Sequence, residues 1–138
     1  MSVSHCRFCL DNRLLVDEPW FVSDTFFCLG SVDPLMPHAV MVVPRRHSET
    51  PFDILPEEWA TFGAVLATAK AHLAPLDPSG YTMGWNVGAV AGQEVFHTHL
   101  HVLPRFAGDG FRLQLTSGSP SRDELDEVAG RIRAQLAG

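Results

Sequence analysis

Three of the seven histidines stand at strict period two in Phe96-His97-Thr98-His99-Leu100-His101-Val102-Leu103-Pro104-Arg105. On a β-strand alternate side chains point to opposite faces, so His97, His99 and His101 share one face along roughly 13 Å of chain, and Phe96, Thr98, Leu100 and Val102 share the other. The second face is expected to be core. Neutral imidazole near pH 7 has two chemistries open to it. It ligates metal ions such as zinc, and it attacks electrophiles, carrying a phosphoryl or nucleotidyl group as a covalent intermediate. A solvated strand that happens to hold histidine is the plainer alternative. Three imidazoles in register against an apolar face argue against it.

A second group of candidate ligands is Cys6-Arg7-Phe8-Cys9. A C-x-x-C spacing serves a redox pair or half of a metal site. The remaining cysteine, Cys28, lies in an apolar run and is expected in the core. Three cysteines make a poor disulfide framework, and the N-terminus lacks the apolar stretch of an export signal. A reducing, cytoplasmic setting is therefore the expectation. No run of apolar residues is long enough to span a bilayer. With 10 Lys and Arg against 16 Asp and Glu the net charge is −6, and Lys70 is the single lysine among nine arginines. No basic cluster offers nucleic acid a footprint. An anion bound here must be held by local donors rather than by a basic field.

The elements that must position these groups follow from periodicity. The 138 residues suit one domain. Leu14-Leu15-Val16, Trp20-Phe21-Val22, Phe26-Phe27-Cys28-Leu29 and the buried run at residues 39–43 are strand candidates. Residues 56–73 repeat apolar side chains at Trp59, Phe62, Leu66, Ala69 and Leu73, the spacing of an amphipathic helix with Pro56 in its first turn. Leu55 is a weak N-cap for it. A strand over 81–87, a glycine-containing loop at 88–92 and a strand over 95–103 come next. Ser121 and Glu124 form a capping-box pattern that opens a final helix over 121–137, with Leu125, Val128, Ile132 and Leu136 on its apolar face. Strands, helix, strands, helix is an α+β order with an antiparallel sheet.

The stretch Asn86-Val87-Gly88-Ala89-Val90-Ala91-Gly92-Gln93-Glu94-Val95-Phe96-His97-Thr98-His99-Leu100-His101 closely resembles the histidine triad (HIT) superfamily of nucleotide hydrolases and transferases. The L-P-R that follows, and Pro44-Arg45-Arg46-His47 after a buried strand, strengthen the match. The resemblance covers roughly residues 6–112. It implies a HIT-like α+β fold, with an antiparallel sheet of about five strands and two main helices. The sheet would extend across a homodimer. The whole chain, 1–138, would be one HIT domain, with a zinc-binding segment at about 1–12 and the terminal helix at about 121–137.

Residue by residue, the resemblance makes His99 the nucleophile that attacks the α-phosphorus of a nucleotide, and His101 the histidine on the leaving-group side, contributing as an imidazolium or proton donor. Asn86, Gly92 and Gln93 fall on positions that face phosphate, and Ser31 on the position that often holds an acid or amide for the ribose. In zinc-containing members the ligands map onto Cys6, Cys9, His47 and His97, a closed Cys₂His₂ site with a structural role. His5 is the rival ligand. The activity implied is hydrolysis of a dinucleoside polyphosphate or related nucleotide through a nucleotidyl-His99 intermediate. A nucleotidyltransferase of the galactose-1-phosphate uridylyltransferase type and a non-catalytic nucleotide-binding protein are the alternatives.

Three positions depart from the pattern. Pro37-His38-Ala39 replaces the usual P-G-H, so Ala39 stands at the histidine position and His38 at the glycine. Ser31 lacks a carboxylate, for which Asp33 is a nearby substitute. Glu94 replaces a serine or threonine. The tail Pro104-Arg105-Phe106-Ala107-Gly108-Asp109-Gly110-Phe111 lacks the G-G-R of phosphoramidases and resembles the dinucleoside-polyphosphate side of the superfamily.

Overall fold

A computed structural model describes residues 3–110 and 120–137. Five strands form one antiparallel sheet in the order β1-β2-β3-β5-β4. They are β1 (Phe21–Val22), β2 (Phe26–Gly30), β3 (Val40–Pro44), β4 (Gly80–Gly84) and β5 (Leu100–Arg105). Helix α1 (Pro56–Leu73) connects β3 to β4, and α2 (Arg122–Ala137) closes the chain. The expected α+β class, the five-stranded antiparallel sheet and the two main helices are all present.

The two faces of the sheet are both covered, which explains why β2 and β3 are apolar almost throughout rather than alternating. Phe26, Cys28, Val40, Val42, Leu100 and Val102 pack under α1 against Val65, Ala69 and Leu73. Phe27, Leu29, Met41 and Val43 form the opposite cluster with Phe8, under the N-terminal segment. His101 pairs with Met41 across the β3–β5 ladder and so belongs to this second face.

Several expectations are corrected. Leu14-Leu15-Val16 is not a strand among the described residues; Leu14 and Val16 are exposed and only Leu15 packs inward. β4 stops at Gly84. β5 starts at Leu100 rather than Val95, so His97 and His99 precede the ladder. The β3–β5 pairing ends at Val42–Leu100. Beyond it lies Pro44, which has no N–H to donate to a further rung. The His97 ring takes the Pro44 carbonyl instead, at 2.7 Å. Phe96, expected in the core, is exposed. The α1 spine runs through Val65 as well as Ala69 and Leu73, while Trp59 is on its open side. Phe111 and residue 112 lie outside the described residues.

The start of α1 has a device that the sequence hides. Leu55 has no capping oxygen, but the buried Glu58 side chain accepts the Leu55 N–H at 2.8 Å. The same carboxylate accepts Arg46 Nη2 at 2.8 Å and Arg46 Nε at 3.2 Å. Arg46 Nη2 also donates to the Asp53 carbonyl at 2.7 Å. Helix start and Arg45-Arg46-His47 segment are thus tied by one ion pair. Ser121 caps α2 as its pattern predicts, accepting the Glu124 N–H at 3.1 Å.

Burial opposes ionisation of Glu58, yet the Arg46 guanidinium and the Leu55 N–H hold its carboxyl below the usual carboxylate range. Its stabilisation is therefore full above the ordinary carboxylate pKa and fades as pH falls through the lowered value. Glu58→Ala should cost roughly 2–3 kcal/mol in urea unfolding at pH 7, from loss of hydrogen bonds to a charged group. The gap to the unmodified protein should shrink below about pH 4.

Candidate active site

The N-terminal segment turns tightly through Cys6 and Cys9. Cys9 N–H donates to the Cys6 carbonyl at 3.4 Å, and the Asn12 side chain donates to the same carbonyl at 2.8 Å. This brings both sulfurs against two imidazoles. Cys6 Sγ lies 3.4 Å from His97 Nδ1, Cys9 Sγ 3.3 Å from His47 Nδ1 and 3.6 Å from His97 Nδ1. The ligand atoms of Cys6, Cys9, His47 and His97 all fall within 4.8 Å of one another. A tetrahedral zinc with Zn–S near 2.3 Å and Zn–N near 2.05 Å requires S···N edges of roughly 3.5 Å. The observed separations match, and no disulfide links the cysteines. His97 Nε2–H donates to the Pro44 carbonyl, the outer hydrogen bond that orients a ligating imidazole and leaves Nδ1 as the ligating nitrogen. Four protein donors would fill the coordination of a tetrahedral ion.

His97 is fully buried, and burial pushes its imidazole down to about 4, so it is neutral and free to ligate at neutral pH. Its own carbonyl then fixes the next histidine. His99 Nδ1–H donates to the His97 carbonyl at 2.7 Å. That bond sets the tautomer and leaves the lone pair on Nε2. Phe8 packs edge-on to His99 with ring centres 5.0 Å apart, and His101 lies at 4.9 Å on the same face. Thr98 points the other way and is held by Ser48: its N–H donates to the Ser48 carbonyl at 2.7 Å and its hydroxyl to the same carbonyl at 2.9 Å.

His99 and His101 line an open cavity of about 460 Å³ with Asn86, Gly92, Ser31, Asp33, Glu94 and Arg7. A space of this size suits a small-molecule site. Gly92 has φ +93°, and a Cβ there would sit 3.5 Å from Asn86 Nδ2. The left-handed φ is what calls for glycine here; the Asn86 amide would make only an ordinary contact with a side chain at this position.

A HIT domain pattern matches residues 21–108. An uncharacterised HIT-like protein of Methanocaldococcus jannaschii is 36% identical over 130 residues, covering 93% of this chain and 98% of that protein. The chain belongs to the HIT family. The bifunctional bis(5'-adenosyl)-triphosphatase/adenylylsulfatase of Arabidopsis thaliana is a 27% identical relative, aligned over 86% of this chain and 64% of its own length. A zinc-bound histidine triad family protein from Mycobacterium smegmatis superposes with a TM-score of 0.67 at 27% identity, over 96% of each chain.

This HIT protein brings together most of the side chains that its sequence singles out. Cys6, Cys9, His47 and His97 come together as a cluster that could hold a metal ion, and His5 is not among them. His99, His101, Asn86, Gly92 and Ser31 share the cavity. Gln93 is not in the lining. It is buried, its Oε1 accepts the Gly88 N–H at 2.8 Å, and its Nε2 donates to the Glu49 and Val95 carbonyls at 2.7 and 3.1 Å. These bonds brace the 88–92 loop. His38 adopts φ +66°, the left-handed conformation that its glycine position demands. Its side chain lines a separate hollow with Leu35, Pro37 and Leu103, so it does not replace the histidine missing at the buried Ala39. The Asp33 carboxylate accepts the Leu35 N–H at 2.9 Å and helps shape its own loop.

Among the cavity residues that escaped the sequence reading, two stand beside His99. Arg7 and Phe8 are the two residues between the cysteines, where only the ligands draw notice. Periodicity has no hold on so short a segment.

His101 is neutral as well: burial pushes it down to about 4, and His99 adds to the shift while Asp33 opposes it. Its Nδ1 is buried without a hydrogen-bond partner among the described residues. The imidazolium expected from the family role is therefore not the resting form at neutral pH. A histidine whose folded pKa is depressed gives stability that is full above its unfolded value near 6.5 and is lost as pH falls toward the folded value. Side-chain NMR of His101 should show no titration between pH 7 and 5.5. The unfolding free energy should decline over the interval from about 6.5 to 4.

Proposed function

We propose that this HIT protein is a nucleotide hydrolase acting at the α-phosphorus of a dinucleoside polyphosphate or related nucleotide. One observation carries the reading: a neutral His99, its Nδ1–H committed to the His97 carbonyl, faces a cavity furnished with an amide, a glycine turn and a second neutral imidazole. The triphosphatase named among its relatives supports the substrate class.

His99 Nε2 attacks the α-phosphorus, and the bond from phosphorus to the bridging oxygen breaks with its electron pair leaving on that oxygen. The nucleotidyl-imidazolium keeps its Nδ1 proton on the His97 carbonyl, which stabilises the new positive charge. His101 donates a hydrogen bond to the reacting phosphate or leaving oxygen. Water then attacks phosphorus, the N–P bond breaks, and the water's proton passes to His101 or solvent, restoring neutral His99. Asn86 and the backbone of the 88–92 loop hold phosphate oxygens, and Ser31 with Asp33 meets the ribose. Gln93 acts one step back by keeping that loop in shape.

Cys6, Cys9, His47 and His97 would hold zinc, whose part is structural: it fixes His97, and with it the carbonyl on which His99 depends. We further propose a cytoplasmic homodimer joined along β4, an edge strand beside the Trp59, Phe62 and Trp85 aromatic cluster. Such an edge is otherwise open to pairing. Ala39 favours a second reading, in which nucleotide binds without turnover; a transferase would pass the nucleotidyl group to a sugar phosphate instead of water.

Diadenosine polyphosphates, adenosine phosphoramidate and a nucleotide sugar should be tested as substrates. Release of nucleoside monophosphate by the unmodified protein, lost in His99→Ala by more than the roughly 10²–10⁴-fold attached to acid–base help alone, is the expected result. Binding without release would favour the second reading. Metal analysis should find about one zinc per chain. Cys9→Ser should lower that occupancy and the melting temperature together.

A further inference from the structure

Arg7 stands apart among the described lysines and arginines by a buried donor left unsatisfied, not by the want of an ion pair, which several exposed cations share. Arg46 is paired with Glu58, Arg105 with Asp109 and Arg122 with Asp126. Arg7 has no carboxylate partner among the described residues, and its Nε is buried with no hydrogen-bond acceptor. A buried donor left without an acceptor carries a cost that a ligand oxygen would relieve. The guanidinium carbon lies 5.1 Å from the centre of the Phe8 ring, a cation–π contact. Phe8 in turn packs against His99. Among the described residues Arg7 is the only lysine or arginine lining the His99 cavity, whose other formal charges are the Asp33 and Glu94 carboxylates.

Its location is not that of a flexible surface side chain. Arg7 lies between Cys6 and Cys9, and Phe8 and Cys9 are buried. The turn that brings the two sulfurs to His47 and His97 also fixes the Arg7 backbone beside the nucleophile. In a protein of net charge −6 this gives the cavity one preplaced positive charge. A planar guanidinium is suited to two oxygens of a phosphate chain at once.

We propose that Arg7 binds the phosphates beyond the one that His99 attacks, and that it thereby selects polyanionic leaving groups over neutral or amine ones. The inference rests on the hydrolase reading and narrows its substrate class. The Cys-Arg-Phe-Cys turn then has two tasks: its cysteines hold the metal, and its arginine holds the leaving phosphates.

The test compares the zinc-loaded full chain with Arg7→Met and Arg7→Lys by calorimetry, using AMP, α,β-methylene ATP and inorganic tripolyphosphate, and records zinc content and melting temperature for each. Arg7→Met should weaken the methylene triphosphate about 10- to 100-fold and leave AMP within about twofold. Arg7→Lys should fall between, retaining charge without the fork. Equal losses for AMP and triphosphate, or no loss for either, would overturn the proposal. If Arg7→Met sheds zinc or melts early, the Lys variant decides: a selective loss of triphosphate affinity with zinc intact supports the assignment, and affinities matching the unmodified protein overturn it. If neither nucleotide binds the unmodified chain, the hydrolase reading falls. Tripolyphosphate then settles Arg7 by itself: Arg7-dependent binding retains the polyanion site, and no binding removes it.

Discussion

His97 is held at three points, and the site is organised by that constraint. Its Nδ1 faces the sulfurs of Cys6 and Cys9, its Nε2 meets the Pro44 carbonyl, and its own carbonyl accepts the His99 Nδ1–H. A fully buried imidazole with both nitrogens committed has no other orientation open to it. The tautomer of the proposed nucleophile is therefore inherited from the Cys6–Cys9–His47–His97 cluster through a single backbone carbonyl. The cluster that could hold a metal and the proposed nucleophile are adjacent in the chain and coupled in space, His97 belonging to the first and His99 being the second.

The rest of the fold supports that residue from two directions. From the sheet, β3 delivers Pro44 to the end of a ladder it cannot extend, so its carbonyl is available to a side chain. From the helix side, Glu58 caps α1 and grips Arg46, the residue immediately before His47. His47 thereby reaches the cysteines from a segment tied to α1 at one end and to β3 at the other. The Ser48–Thr98 hydrogen bonds lock this segment to the histidine run. Each is a polar group at least partly buried with its partner present, so the arrangement is specific rather than merely compact.

The same economy of position applies to the cavity. Residues 88–92 need glycine at both ends for their positive-φ turns, and the Gln93 amide ties the loop at Gly88 to the Glu49 and Val95 carbonyls. This leaves Asn86 and Gly92 facing the cavity while Gln93 does not. The departure at Ala39 is also structural in its effect. His38 takes the conformation that glycine ordinarily supplies, and its ring faces another hollow.

Motif and periodicity in the sequence were enough for the fold class, α1 between residues 56 and 73, and the Ser121 cap, and family resemblance was enough to single out the four side chains that come together as a candidate metal cluster. Those features depend on neighbours in the chain or on residue types with narrow chemical use: imidazole and thiolate at set spacings, apolar positions at set periods. Tertiary structure decided the rest. That His97 and His99 lie before the strand follows from Pro44, some fifty residues away. That Glu58 replaces the missing cap at Leu55 depends on burial against Arg46. That Gln93 turns inward and Arg7 lines the cavity depends on which backbone carbonyls and rings surround them. Such choices are made by competition among near and far partners to satisfy buried polar groups, and no local pattern alone encodes the outcome of that competition.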